Sequence, residues 1–83
     1  MEELSTSNLL WYIYKRNISV RHPTAIRMSE FCAEFSPATE ERIENELRNL
    51  IYEMKFISKK FRCIYDLTEA GLEEVERLKG GQP

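Results

Sequence analysis

Glycine is scarce in this chain: the 83 residues contain three, Gly71, Gly80 and Gly81, all in the C-terminal part. No glycine-rich turn from strand to helix can therefore form, and the P-loop and G-x-S-x-G patterns are absent, so no phosphate cradle or nucleophile elbow is expected. The carboxylates fall on amphipathic stretches beside basic residues, the arrangement of a solvated face rather than of an acid and base paired in a cleft. The chain is expected not to be an enzyme, and no cofactor is implied. Histidine occurs once, at His22, with no second metal-type ligand nearby, so a solvent-exposed loop residue is expected there and not a metal ligand. Cys32 and Cys63 lack the paired spacing of a zinc or redox motif; both are expected to be reduced and buried, with a disulfide as the alternative in a thermophile or its virus. The longest apolar run, Leu9 to Tyr14, is far too short to cross a membrane, and Met1-Glu2-Glu3 is acidic where a signal peptide is basic. A soluble, cytoplasmic protein is the expectation. A basic excess is also lacking, since the net charge is −2. Any binding to nucleic acid must come from the distribution of charge and not from its sum.

What remains is ample for one small core. Hydrophobic residues make up 42% of the chain and charged residues 31%. A single domain over residues 1–79 is expected, followed by a loose tail over 80–83. Ser5, Thr6 and Ser7 offer caps for a first helix to about Arg16, stopped at Asn17. Its centre, Leu9-Leu10-Trp11-Tyr12-Ile13-Tyr14, is apolar or aromatic all round, more than one domain core can bury. A partner surface follows, and a second copy of the chain is the simplest occupant.

Ile18 to Thr24 has no helical period and reads as a loop, with a short extended piece at Ile18 to Val20; Ala25 to Met28 reads as a short strand. Ser29 then caps a second helix to Phe35, with Met28, Phe31, Cys32 and Phe35 on one inward stripe. Ser36-Pro37-Ala38-Thr39 starts a third helix, with serine as cap and proline in the first turn, running to about Met54. Ile43, Leu47, Leu50, Ile51 and Met54 form its inward stripe. Phe56 to Lys59 and Cys63 to Leu67 read as the strands of a hairpin. Thr68 caps a last helix to about Lys79, with Leu72, Val75 and Leu78 inward. The class is mostly α with a small hairpin, α+β.

The order helix, strand, helix, helix, hairpin, helix resembles the winged helix-turn-helix regulators of the MarR and PadR type. Met28-Ser29-Glu30-Phe31-Cys32-Ala33-Glu34-Phe35 resembles the first helix of the motif, and Ser36-Pro37-Ala38-Thr39 its turn and the start of the recognition helix. Tyr65-Asp66-Leu67-Thr68-Glu69-Ala70-Gly71 is similar to the stretch that leaves the wing. The chain departs from the pattern at Met54-Lys55-Phe56-Ile57, where such proteins often carry glycine and this one carries Lys55, and its wing is short. The resemblance implies a homodimeric DNA-binding transcriptional regulator, with Leu10, Trp11 and Tyr14 of the first helix and Leu72 and Val75 of the last at the dimer interface.

On a helical wheel Ala38, Glu41, Arg42, Asn45, Arg48, Asn49 and Tyr52 lie opposite the inward stripe of the third helix. Arginine pairs with guanine and asparagine with adenine in the major groove, which suits Arg42, Asn45 and Asn49 to base readout and Arg48 to a base or a phosphate. Lys55, Lys59, Lys60 and Arg62 accompany Phe56 and Phe61 without an intervening carboxylate, which suits Lys59, Lys60 and Arg62 to phosphate contact or, alternatively, to protection of an edge strand. Ser36 and Thr39 can hold a phosphate at the helix start or act only as caps. Double-stranded DNA is thus the expected partner. The plainer alternative is a solvated face whose Glu44–Arg48 and Glu41–Asn45 neighbours support the helix, in a module that docks on protein and not on DNA.

Overall fold

The computed structural model describes residues 3–80. Met1, Glu2 and all of the expected tail except Gly80 lie outside the described residues. Among the described residues, four helices and a three-stranded antiparallel sheet surround one core. Helix α1 spans Thr6–Val20, strand β1 Thr24–Ala25, helix α2 Met28–Glu34 and helix α3 Glu40–Arg48; α3 continues into a single π turn, Asn49–Glu53. Strands β2, Ile57–Lys60, and β3, Ile64–Leu67, form the hairpin, and helix α4, Glu69–Gly80, follows. In the sheet β3 is central, with β1 on one side and β2 on the other.

The first helix is longer than its sequence signals predict. Asn17 does not stop it, because its side chain is engaged elsewhere: Nδ2 donates to the Tyr65 carbonyl (2.9 Å) and Oδ1 accepts the Thr24 N–H (3.0 Å). The helix therefore runs through Ile18, Ser19 and Val20, which were expected in a loop. It ends at Arg21, where a left-handed backbone (φ 63°) returns the Arg21 and His22 N–H groups to the Asn17 carbonyl. Its start is as expected, with Ser5 Oγ accepting the Asn8 N–H (3.1 Å).

The expected strand at Ala25 to Met28 shrinks to Thr24–Ala25, paired with Tyr65 and Ile64. Met28 already belongs to α2. The N-terminal bond of α2 comes from Glu30, whose Oε2 accepts the Arg27 N–H (3.0 Å), and not from Ser29, which sits inside the helix. Phe31 and Phe35 are buried, with Met28 and Cys32 packed against the core, so the predicted stripe is present.

The third helix starts later than predicted. Thr39 is its cap, with Oγ1 accepting the Arg42 N–H (3.3 Å), while the chain from Phe35 to Pro37 is a turn closed by Ala38 N–H to the Phe35 carbonyl (2.9 Å). Ser36 and Pro37 precede the helix, and Ala38 packs against the core instead of facing outward. Ile43, Leu47 and Leu50 are buried as expected. Beyond Arg48 the Met54 N–H reaches back five residues to the Asn49 carbonyl (2.9 Å). This wider turn absorbs an extra residue, so later side chains lag by roughly the 100° that one residue turns in an α-helix. Met54, expected inward, is consequently 43% exposed.

Helix α4 is fixed at its start by Thr68, whose Oγ1 accepts the Gly71 N–H (3.0 Å) and donates to the Lys55 carbonyl (2.6 Å). Its inward face is Gly71 and Val75 with half-buried Leu78; Leu72, expected inward, is 48% exposed. Gly71 is where the backbones come closest: an added Cβ would lie 1.9 Å from the Phe56 carbonyl oxygen. Cys32 and Cys63 are both free thiols and half-buried, neither disulfide-linked nor fully enclosed.

Candidate nucleic-acid interface

The antiparallel register decides where each basic residue of the hairpin goes. Lys59 is opposite Tyr65 and Lys60 opposite Ile64, and directly opposed residues share a face of the sheet while neighbours along a strand do not. Lys59 therefore lies on the face of Tyr65, with Nζ 6.0 Å from the ring centroid. Lys60 takes the other face beside Asp66, with Nζ 3.7 Å from Oδ2. Sequence reading grouped the two lysines; the pleat separates them.

Between the hairpin and the end of α3 runs a groove of about 350 Å³. Arg48 and Tyr52 border it on the helical side, Lys59 and Arg62 on the hairpin side, and Phe31 and Tyr65 line its floor. Glu44, one turn before Arg48, is the carboxylate on this lining. Burial, followed by the charges of Cys63 and Glu44, pushes the Tyr65 phenol above its ordinary value, so it remains a neutral hydroxyl at neutral pH. No sequence signal marked Glu44 and Tyr65 as neighbours, because their approach depends on how the hairpin packs against α3.

Arg42, Asn45, Arg48 and Asn49 are all exposed along α3 and its junction with the π turn. Among the described residues the ion pairs are Arg16–Glu30, Lys60–Asp66, Arg77–Glu74 and Lys79–Glu76, so Arg42, Arg48, Lys59 and Arg62 carry unpaired charge. The Glu44–Arg48 support expected of a merely solvated helix is not among these pairs. Glu46, on the flank of α3, is turned inward to accept a hydrogen bond from the Thr6 hydroxyl (3.1 Å). The first turn is different. Thr39 is exposed and Ser36 half-buried, but Glu40 and Glu41 occupy the first turn and oppose an anion there.

The residues expected at a dimer surface divide in two. Leu10 and Val75 are fully enclosed in the core and have no surface to offer. Trp11 and Tyr14 are half-buried, with ring centroids 5.6 Å apart, and Leu72 is exposed. Ile18, on the part of α1 beyond its expected end, is 55% exposed and joins Tyr14, Leu67 and Leu72 around an open cleft of about 430 Å³ that Arg21, His22 and Asp66 also line. His22 is exposed, and its Nδ1 lies 2.8 Å from the Pro23 carbonyl oxygen. Among the described residues no helix is long and apolar enough to cross a membrane.

Comparison with protein-family models, with curated proteins and with solved structures found no match for this chain.

Proposed function

We propose that the chain is a winged helix that binds duplex DNA, with α3 in the major groove and the hairpin as a short wing. The observation that carries this reading is the groove flanked by Arg48 on one side and by Lys59 and Arg62 on the other, none of them ion-paired among the described residues, with Glu44 the one carboxylate on its lining. Two walls of free cations separated by a groove suit a phosphate ribbon, and the exposed Arg42, Asn45 and Asn49 supply donors and acceptors of the kind that read base edges. The net charge of −2 is spread unevenly: Glu46 is turned toward α1, while Glu44 stays on the groove lining beside the cations and Glu40 and Glu41 stand at the start of α3. A regulator of transcription acting as a homodimer is the form this reading takes. Trp11, Tyr14, Ile18 and Leu72 would provide the shared surface, and the operator half-sites would lie one helical turn or a multiple apart.

A second reading, a winged-helix module that docks on protein without DNA, is favoured by the exposed apolar side chains of Ile18 and Leu72. Fluorescence anisotropy with random-sequence duplex at several salt concentrations separates the two. Under the DNA reading binding weakens steeply with salt, and the Arg42→Ala/Arg48→Ala double variant binds less tightly with a salt slope shallower by about 1 to 2. Absence of binding by the wild type at low salt would overturn that reading.

A further inference from the structure

Phe61 stands at the hairpin tip, where its exposure has no explanation within the fold. It is 86% exposed, the most open of the large apolar side chains among the described residues. Its backbone is left-handed (φ 60°), a conformation a bulky side chain rarely adopts. The turn Phe61-Arg62-Cys63 closes the hairpin beyond the Lys60–Ile64 pair, and of its three side chains those of Arg62 and Cys63 border the groove. Phe61 is therefore the apolar side chain left projecting from the tip, next to Lys60 and Arg62 in sequence and followed by no acidic residue until Asp66.

We infer that Phe61 is a wedge that enters the minor groove of duplex DNA and partly unstacks a base step. This rests on the DNA-binding reading and goes beyond the phosphate contacts assigned to the hairpin. With α3 in a major groove, the hairpin beside it crosses one phosphate ribbon toward the adjacent minor groove. That groove is only about 6 Å wide, too narrow for two strands but open to a single side chain at a turn. Apolar wedges, phenylalanine among them, enter minor grooves in this way and kink the duplex, most readily at flexible pyrimidine–purine steps. The flanking Arg62, not ion-paired among the described residues, favours a polyanion as the occupant, whereas Lys60 on the other side is engaged with Asp66. The wedge supplies a preference for deformable sequence that Arg42, Asn45 and Asn49, on the helix, cannot supply.

The test uses the full chain and an alternating dT–dA duplex carrying 2-aminopurine, in which every register offers flexible TA steps. Wild type is expected to bind and to raise 2-aminopurine fluorescence as the base unstacks. Phe61→Ala is expected to bind at least fivefold more weakly, with an unchanged salt slope and no fluorescence rise, whereas Phe61→Leu retains part of both signals. Arg62→Ala, as the contrasting variant, lowers the salt slope by about 1 and keeps the fluorescence rise. Thermal melting of each variant separates loss of binding from loss of fold. If wild type binds and Phe61→Ala binds equally well with the same fluorescence rise, the wedge is overturned while the DNA reading stands. If wild type binds no duplex, both fall. Phe61-dependent binding to phosphatidylserine vesicles without any effect on duplex binding would assign the side chain to a lipid surface and overturn the wedge.

Discussion

Gly71→Ala is a substitution whose sign is decided by competition between two effects of known size. In an ordinary helix the change stabilises by about 1 kcal/mol, because glycine carries the larger entropy cost. Here the new methyl would lie 1.9 Å from the Phe56 carbonyl oxygen and 2.8 Å from its carbonyl carbon, both backbone atoms. The same Phe56 oxygen accepts the Thr68 N–H, and Thr68 in turn holds the Lys55 carbonyl and the Gly71 N–H. Relief demands that α4 and the Phe56 segment part by about 1 Å, which forfeits dispersion contacts on both sides. Overpacking of this kind costs about 1–3 kcal/mol, and weakening the two Thr68 bonds to the Lys55 and Phe56 carbonyls adds about 1 kcal/mol each. The clash wins by about 2–4 kcal/mol. With a urea slope of about 1 kcal/mol/M for a domain of this size, the unfolding midpoint should fall by about 2–4 M. Gly80→Ala is the control, since nothing lies within 4 Å of a Cβ at that position. A Gly71→Ala midpoint equal to or above that of wild type would refute the close approach of α4 to the strand entrance.

Three further outcomes follow from the same geometry. Lys55 has a left-handed backbone (φ 57°), so Lys55→Gly should stabilise by about 0.5–1 kcal/mol in urea titration, with Lys55→Ala giving no such gain. Asn17→Ala removes the bonds to Tyr65 and Thr24, should cost about 2 kcal/mol, and should speed hydrogen exchange at the Thr24 amide selectively. The Arg27 backbone N–H, and then the Arg16 guanidinium, hold the Glu30 carboxylate below its ordinary value of 4.5. A lowered folded value means that the stabilisation is complete above the ordinary value and fades as pH falls through the folded one. The melting temperatures of wild type and Glu30→Gln should therefore differ at neutral pH and approach one another as the pH falls below the ordinary value of 4.5 and through the lowered folded one.

The positions at which sequence reading and structure part share a cause. Ser5 and Thr68 were readable as caps because capping needs only a hydroxyl and the next few amides, all within one turn. The stripes Phe31–Phe35 and Ile43–Leu47–Leu50 were readable because period and burial coincide along one element. Asn17 was misread as a helix stop because its bonding partners are Thr24 and Tyr65, the latter on a distant strand. Met54 and Leu72 were placed inward by a constant α-helical period and an assumed helix face. The π turn breaks that period for Met54, and the packing of Gly71 on Phe56 turns α4 so that Leu72 faces out.

The candidate interface shows the same division. Which residues are charged, which are apolar and in what order elements form was legible along the chain, since these depend on side-chain chemistry and on interactions a few residues apart. Hence Arg42, Asn45, Arg48 and Asn49 were recognisable as one polar face. Packing between distant segments turns Lys59 into the groove and Lys60 away to Asp66, encloses Leu10 and Val75, and brings Glu44 toward Tyr65. Those outcomes depend on strand register and on the approach of backbones far apart in the chain, where one residue of slip reverses a side chain's face.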